Sequence, residues 1–271
     1  MGPVSEAQKF SDLMPKLFDQ YWDCRSNTSS FSDFTKNTTD LKVVCKDATA
    51  QKVDFTTPSA LETAIQNSTR INSPSDADPW GAPTDDSWTV WMDMTIDDLI
   101  KGTDISRGGQ ELVGRLFYQL GRGLVVNDCR HVLGHRLFQH HADHWTFMIR
   151  DRSPLKDDNG KDYLLRSEIL GITSILYRQM NEQHQEYTQP RLTYQHGKLT
   201  ATIITFMIGK VRVVQATCNP SDQNPTMTCT LRGSYDLRMS CYNKSSVHEI
   251  VKWILCPPGP SQGLSLRPKK A

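Results

Sequence analysis

The sequence predicts an α+β protein: a mostly antiparallel sheet with helices packed on one face, plus an acidic N-terminal helical lobe. Three observations carry this. Short stretches rich in Val, Ile and Thr lie close together between residues 129 and 232 and read as strands. Helical-period stretches at 167–180 and 245–256 follow strand pairs rather than alternating with single strands. Residues 1–100 carry a net charge of −8 and residues 101–271 a net charge of +9.

Residues 5–23 have Phe10, Leu13, Leu17 and Tyr21 at helical spacing. Ser5 is placed to cap this helix, and Pro15 is expected to kink or restart it. The Ser-, Thr- and Asn-rich segment 25–40 reads as loop. Residues 41–45 and 52–55 read as two short strands that pair, and Ser59 to Asn67 as a helix capped by Ser59 or Thr57. Residues 68–87 contain Pro74, Pro79 and Pro83 and read as a mobile lid, which sets the boundary after residue 87. The expected division is an acidic lobe at 1–87, a main domain at 88–260 and a flexible tail at 261–271.

Trp88 to Met94 alternates apolar and polar residues and reads as a strand, with a new helical turn opening at Thr95. Gly109 to Leu120 reads as a helix ended by Gly121. Residues 129–150 fit a helix, which would put His131 and His135 one turn apart, or a hairpin with His141-Ala142-Asp143-His144 at its tip. The β-formers from Trp145 to Ile149 favour the hairpin. Asp157 to Gly160 is a turn signal, Tyr163 to Leu165 a strand and Ser167 to Met180 a helix. Leu199–Ile208 and Val211–Cys218 form a hairpin about Gly209-Lys210. Met227 to Arg232 is a further strand, and Ser245 to Cys256 a helix stopped by Pro257.

The net charge of +1 and the lack of a long basic run give no sign of a nucleic-acid partner, and no apolar run approaches a membrane span. The first residues lack the basic-then-apolar order of a secretory signal, so the sequons at Asn27, Asn37, Asn67 and Asn243 are expected to go unused and the location to be cytoplasmic. Seven cysteines without a Cys-x-x-Cys pair read as free thiols, with a Cys218–Cys229 bridge as the alternative across a hairpin loop. The basic half offers the option of a cleft for an anionic ligand, against the plainer reading of a solvated surface.

The strand pair from Thr200 to Ala216, the later Gly233-Ser-Tyr-Asp-Leu237 and the helix with Val251-Lys-Trp-Ile-Leu255 resemble small α+β proteins of filamentous fungi over roughly the last 130 residues. That resemblance implies a cofactor-free protein with a small-molecule role, some such proteins accompanying specialised-metabolite pathways. The order helix, three strands, helix also resembles a nuclease core with an Asp and a later Glu-x-Lys. The matching position here reads Gln215-Ala-Thr217, and residues 200–217 contain no acid, so two-metal hydrolysis is not expected.

Five of eight histidines fall between His131 and His144. His141-Ala142-Asp143 matches two ligands of an iron facial triad, with His196 as the third candidate. No nucleophile elbow or phosphate loop is present. The aromatics of the middle third read mainly as core and otherwise as a pocket. The reading carried forward is a cofactor-independent cyclase or isomerase acting on a hydrophobic small molecule. It has no metal, uses His131 and His135 as catalytic residues, and binds its substrate through Trp88, Trp91, Trp145 and Phe147. The alternatives are a His/Asp metal-dependent oxygenase and a non-catalytic binding protein with a degenerate nuclease-like core.

Overall fold

The computed structural model describes residues 5–38, 40–72, 88–101, 103, 112, 114–126, 129–153, 161–182, 191–238, 241–258 and 265–266. The greater part of the expected lid, the turn at 157–160 and most of the tail lie outside them.

The first helix, α1 (Glu6–Trp22), starts at Ser5, whose hydroxyl accepts the Gln8 N–H at 3.2 Å. It runs unbroken through Pro15, with Phe10, Met14, Leu17 and Phe18 buried along one side. The supposed loop that follows forms β1 (Thr28–Ser30) and α2 (Phe31–Asn37). Ser30 caps α2 by accepting the Asp33 N–H, and Phe34 is driven under Tyr21. Next come β2 (Lys42–Asp47), α3 (Ser59–Asn67) and α4 (Thr69–Asn72). Pro58 precedes α3 without any side-chain cap, so neither Thr57 nor Ser59 has the expected role.

Residues 88–94 are not a strand. They open α5 (Trp88–Ile100), and Thr95 sits inside it, donating its hydroxyl to the Trp91 carbonyl at 2.8 Å. The helix α6 (Arg115–Arg122) ends at Gly123 rather than Gly121. At φ 85° Gly123 adopts the left-handed turn and its N–H caps the Gln119 and Leu120 carbonyls. Then follow β3 (Leu124–Val126), β4 (Cys129–His141) and β5 (His144–Asp151), so residues 129–150 form the expected hairpin. The remainder comprises β6 (Tyr163–Leu165), α7 (Arg166–Met180), β7 (Tyr194–His196), β8 (Leu199–Met207), β9 (Lys210–Cys218), β10 (Thr226–Asp236), α8 (Lys244–Leu255) and β11 (Ser265–Leu266).

The fold is α+β. Its main sheet has seven strands in the order β2-β10-β9-β8-β5-β4-β3. Most neighbours are antiparallel, but β10 with β2 and β5 with β8 are parallel. The helices cover both faces of this sheet, not one. On the first face α1, α6 and α7 pack on Phe147, Ile149, Ile203 and Val214. On the second, α3, α5 and α8 pack on Phe138, Met148, Ile204 and Val213. Both faces of the central strands are therefore apolar, and β8 is buried at every residue. The N-terminal segment is not set apart as a lobe: β2 is an edge strand of the main sheet, and 52–55 does not pair with it. Val53 and Phe55 instead pack into the second core.

Candidate functional site

The parallel pair β5 and β8 ends in a group of polar side chains on the first face. The register sets Ile149 opposite Thr205, which places Asp151, two residues on, just beyond Thr205 on the same face. Above them runs α7. Gly171 lets it approach closely, since a Cβ there would stand 2.7 Å from Ile149 Cδ1 and 2.9 Å from Ile203 Cδ1. Ser167 lies one turn earlier on that stripe, as Asp151 and Thr205 lie one step later along the strands. α7 runs antiparallel to β8, with Gln179 near Thr200 and Gly171 over Ile149 and Ile203, so Ser167 lies toward the strand end that carries Asp151 and Thr205. Ser167, Asp151 and Thr205 all have 0% exposure.

These groups are polar and lack partners. Asp151 Oδ1 accepts the Ser153 N–H at 2.8 Å. Asp151 Oδ2, Ser153 Oγ, Ser167 Oγ, Thr205 Oγ1 and Arg166 Nε are buried with no hydrogen-bond partner. Buried polar atoms are almost always paired, so a cluster of unpaired ones marks a place where water or a ligand completes the set. The Arg166 guanidinium is held by the Cys24 carbonyl and, at 3.0 Å, by Asn27 Oδ1. Burial lowers its pKa, and the charge of Asp151 works against that drop.

Glu168 fixes the frame. Its Oε2 accepts the Leu165 N–H at 2.8 Å, and its Oε1 accepts Arg212 Nε at 2.8 Å. Arg212 also donates to the Tyr163 carbonyl at 2.9 Å and lies 4.5 Å over the Tyr163 ring. Burial opposes the Arg212 charge, yet Glu168 keeps the guanidinium above its ordinary value. A shallow depression at the strand ends, with room for about one water molecule, is lined by Thr89, Arg150, Asp151, Arg152, Phe206, Met207 and Ile208. Arg150 sits opposite Phe206 in the register and so faces the second core, away from Asp151 and Thr205.

The residues singled out from sequence are dispersed. His135 faces α5, its Nε2 3.3 Å from Asp93 Oδ2, beside an Arg136 that pairs with Asp93 and Asp97. It belongs to the latch between α5 and the sheet. His131 lies at the margin of the strand-end site: its carbonyl accepts the Arg152 N–H at 2.7 Å, and its Nδ1 is buried without a partner. Trp145 and Phe147 are in the first core and Trp91 in the second, so these aromatics lie on opposite faces of the sheet and line no common cavity. Of Trp88 the structure fixes only its place at the start of α5.

The other histidines of the hairpin also have their own places. His144 Nε2 meets Thr202 Oγ1 at 2.9 Å and His140 Nε2 meets Thr146 Oγ1 at 3.1 Å, the two rings lying 5.8 Å apart. Burial, and then neighbouring histidines, push His140 down to about 4 and His144 down to about 3, so both are neutral imidazoles. His141 is exposed at the hairpin tip. Among the described residues no three His, Cys, Asp or Glu side chains converge as a metal ion requires, so His141, Asp143 and His196 do not assemble a facial triad. No helix of the described residues is long and apolar enough to cross a membrane.

No family model, curated protein or solved structure matches this chain. The likeness to fungal proteins therefore rests on the quoted residues alone.

Asp151, Ser167 and Thr205 carry no motif that sequence reading could find. The one signal was an Asp ending the apolar run Trp145 to Ile149, followed after a gap by a helix that opens Arg166-Ser167-Glu168.

Proposed function

We propose that the protein binds a small, hydroxyl-bearing anion at the carboxyl ends of β5 and β8. The observation that carries this reading is the set of unpaired buried polar atoms at Asp151, Ser153, Arg166, Ser167 and Thr205, beneath the amino-terminus of a fifteen-residue helix. A helix start favours negative charge. The hydroxyls and the Arg166 N–H supply donors, and Asp151 Oδ2 accepts from a ligand hydroxyl. Cofactor-free cyclisation or isomerisation of a hydrophobic metabolite is the other reading of the chain. It needs an apolar cavity, and the separation of Trp91 from Trp145 gives it no support.

Thermal melts with inorganic phosphate and ribose 5-phosphate test the proposal. Ribose 5-phosphate at 100 times its Kd adds about 2.7 kcal/mol to the folded state. A saturable rise in Tm, larger for the sugar phosphate and abolished in Asp151→Asn and Ser167→Ala, is expected. A rise that persists in both variants, or no rise with either probe, overturns it.

A further inference from the structure

The parallel register of β2 and β10 sets Cys45 directly opposite Cys229. Adjacent strands lie about 4.7–4.9 Å apart, inside the Cα separation of about 4.4–6.8 Å that a disulfide spans. Directly opposed residues point to the same face. Both side chains lie with the first core, where Cys229 is fully buried and Cys45 is half-buried beside α2. The alternative bridge from Cys218 to Cys229 is not formed, and all three thiols are free. The register explains why: Cys229 faces Ala216, so Cys218 stands two residues out of step on β9.

The two thiols are unequal. Cys45 is in hydrogen-bonding contact with Cys229 and with Thr35, and these bonds lower its pKa against the effect of burial. Cys229 donates into that contact and is buried, so its pKa is raised well above the ordinary thiol value. The thiol that solvent reaches is thus the one that ionises first.

We propose that Cys45 and Cys229 are a reversible modification site, converted to an inter-strand disulfide by a small-molecule disulfide such as oxidised glutathione. The Cys45 thiolate attacks one sulfur of glutathione disulfide. That S–S bond breaks, and one glutathione thiolate leaves and takes a proton from solvent. Cys229 then releases its proton to solvent and its sulfur attacks Cys45 Sγ, expelling the second glutathione. Two protein thiols are oxidised and one glutathione disulfide is reduced to two thiols. The product ties the edge strand β2 covalently to its neighbour β10.

The full chain incubated with oxidised glutathione tests this by intact mass, peptide mapping and thermal melting. The expected result is recovery of a linked Cys45–Cys229 peptide, a higher Tm, and reversal of both by dithiothreitol. In Cys229→Ser the reaction should halt at a glutathione adduct on Cys45, and in Cys45→Ser residue 229 should stay unmodified. A stable glutathione adduct on Cys45 of the wild-type chain, an unreacted Cys45, or a link from Cys45 to any other cysteine overturns the proposal. The adduct on Cys229→Ser also reports that this variant presents a native Cys45, so a folding failure is not mistaken for a negative.

Discussion

Glu168 on α7 and Arg212 on β9 form a charge pair inside the protein, Nε to Oε1 2.8 Å, with side-chain exposures of 0% and 3%. The pair joins the start of a helix to the middle of the sheet. Removing one partner strands the other charge in the core. Arg212→Met is therefore expected to cost about 3–5 kcal/mol, whereas Glu168→Leu combined with Arg212→Met should cost distinctly less than the sum of the single changes. The double variant still loses the Leu165 N–H contact. Urea titration of the three variants measures the coupling, and additive losses would refute it.

His140 and His144 predict the pH dependence of stability. Their folded values of about 4 and about 3 lie below the ordinary 6.5. As pH falls below 6.5 the unfolded chain takes up protons that the folded chain refuses, so stability is full above that pH and drains away down towards 4 for His140 and 3 for His144. The loss by pH 4.5 is on the order of a few kcal/mol. Denaturant midpoints between pH 8 and pH 4.5 should show the decline, and His140→Gln with His144→Gln should flatten it. An unchanged slope in the double variant would exclude these two groups as its cause.

Trp145 tests the core assignment against a ligand-facing one. At 5% exposure, packed with Phe147 and Ile149, it should behave as a core residue. Trp145→Ala is expected to cost about 3–5 kcal/mol. Its Nε1 has no hydrogen-bond partner, so Trp145→Phe removes an unpaired donor and should cost much less. A Trp145→Ala variant of native Tm would place this side chain outside the core.

Gly134 is tight for a different reason from Gly171. A Cβ there would stand 2.6 Å from Phe147 Cζ and 3.3 Å from Leu112 and Leu120, and an aromatic ring wedged in a core has little room to retreat. Gly134→Ala is expected to lower stability by about 1–3 kcal/mol. Phe147→Leu should recover part of that loss in the Gly134→Ala background, although it is harmful alone. Calorimetry on the three variants decides it.

Much of the C-terminal half was legible in the sequence because its signals are local. The β-formers after Trp145, the turn at Gly209, where φ is 70°, and the helical stripe Ile169, Ile172, Leu176 all fell where periodicity placed them. The segment at Trp88 misled because seven residues of alternation outweighed a longer helical stripe. Trp91, Met92, Thr95, Ile96, Leu99 and Ile100 are buried, while Val90 is 45% exposed. Strand partners further apart were beyond reach. Nothing in residues 42–47 announces a partner near residue 229, and nothing in Asp151 announces Thr205. The site consists of such distant partners, so only the His-rich segment beside it stood out from local pattern.

The pairing of β2 with β10 has a consequence for how the chain is made. The strand at 42–47 leaves the ribosome with its partner about 180 residues behind it. At about 5–20 residues per second that is a wait of roughly 10–40 s. Through that interval the Val43 side of β2 has no sheet to join, and neither has α1, whose apolar stripe is covered by α7. The early third of this protein is therefore born sticky, and its exposure to other chains ends only when the late strands arrive.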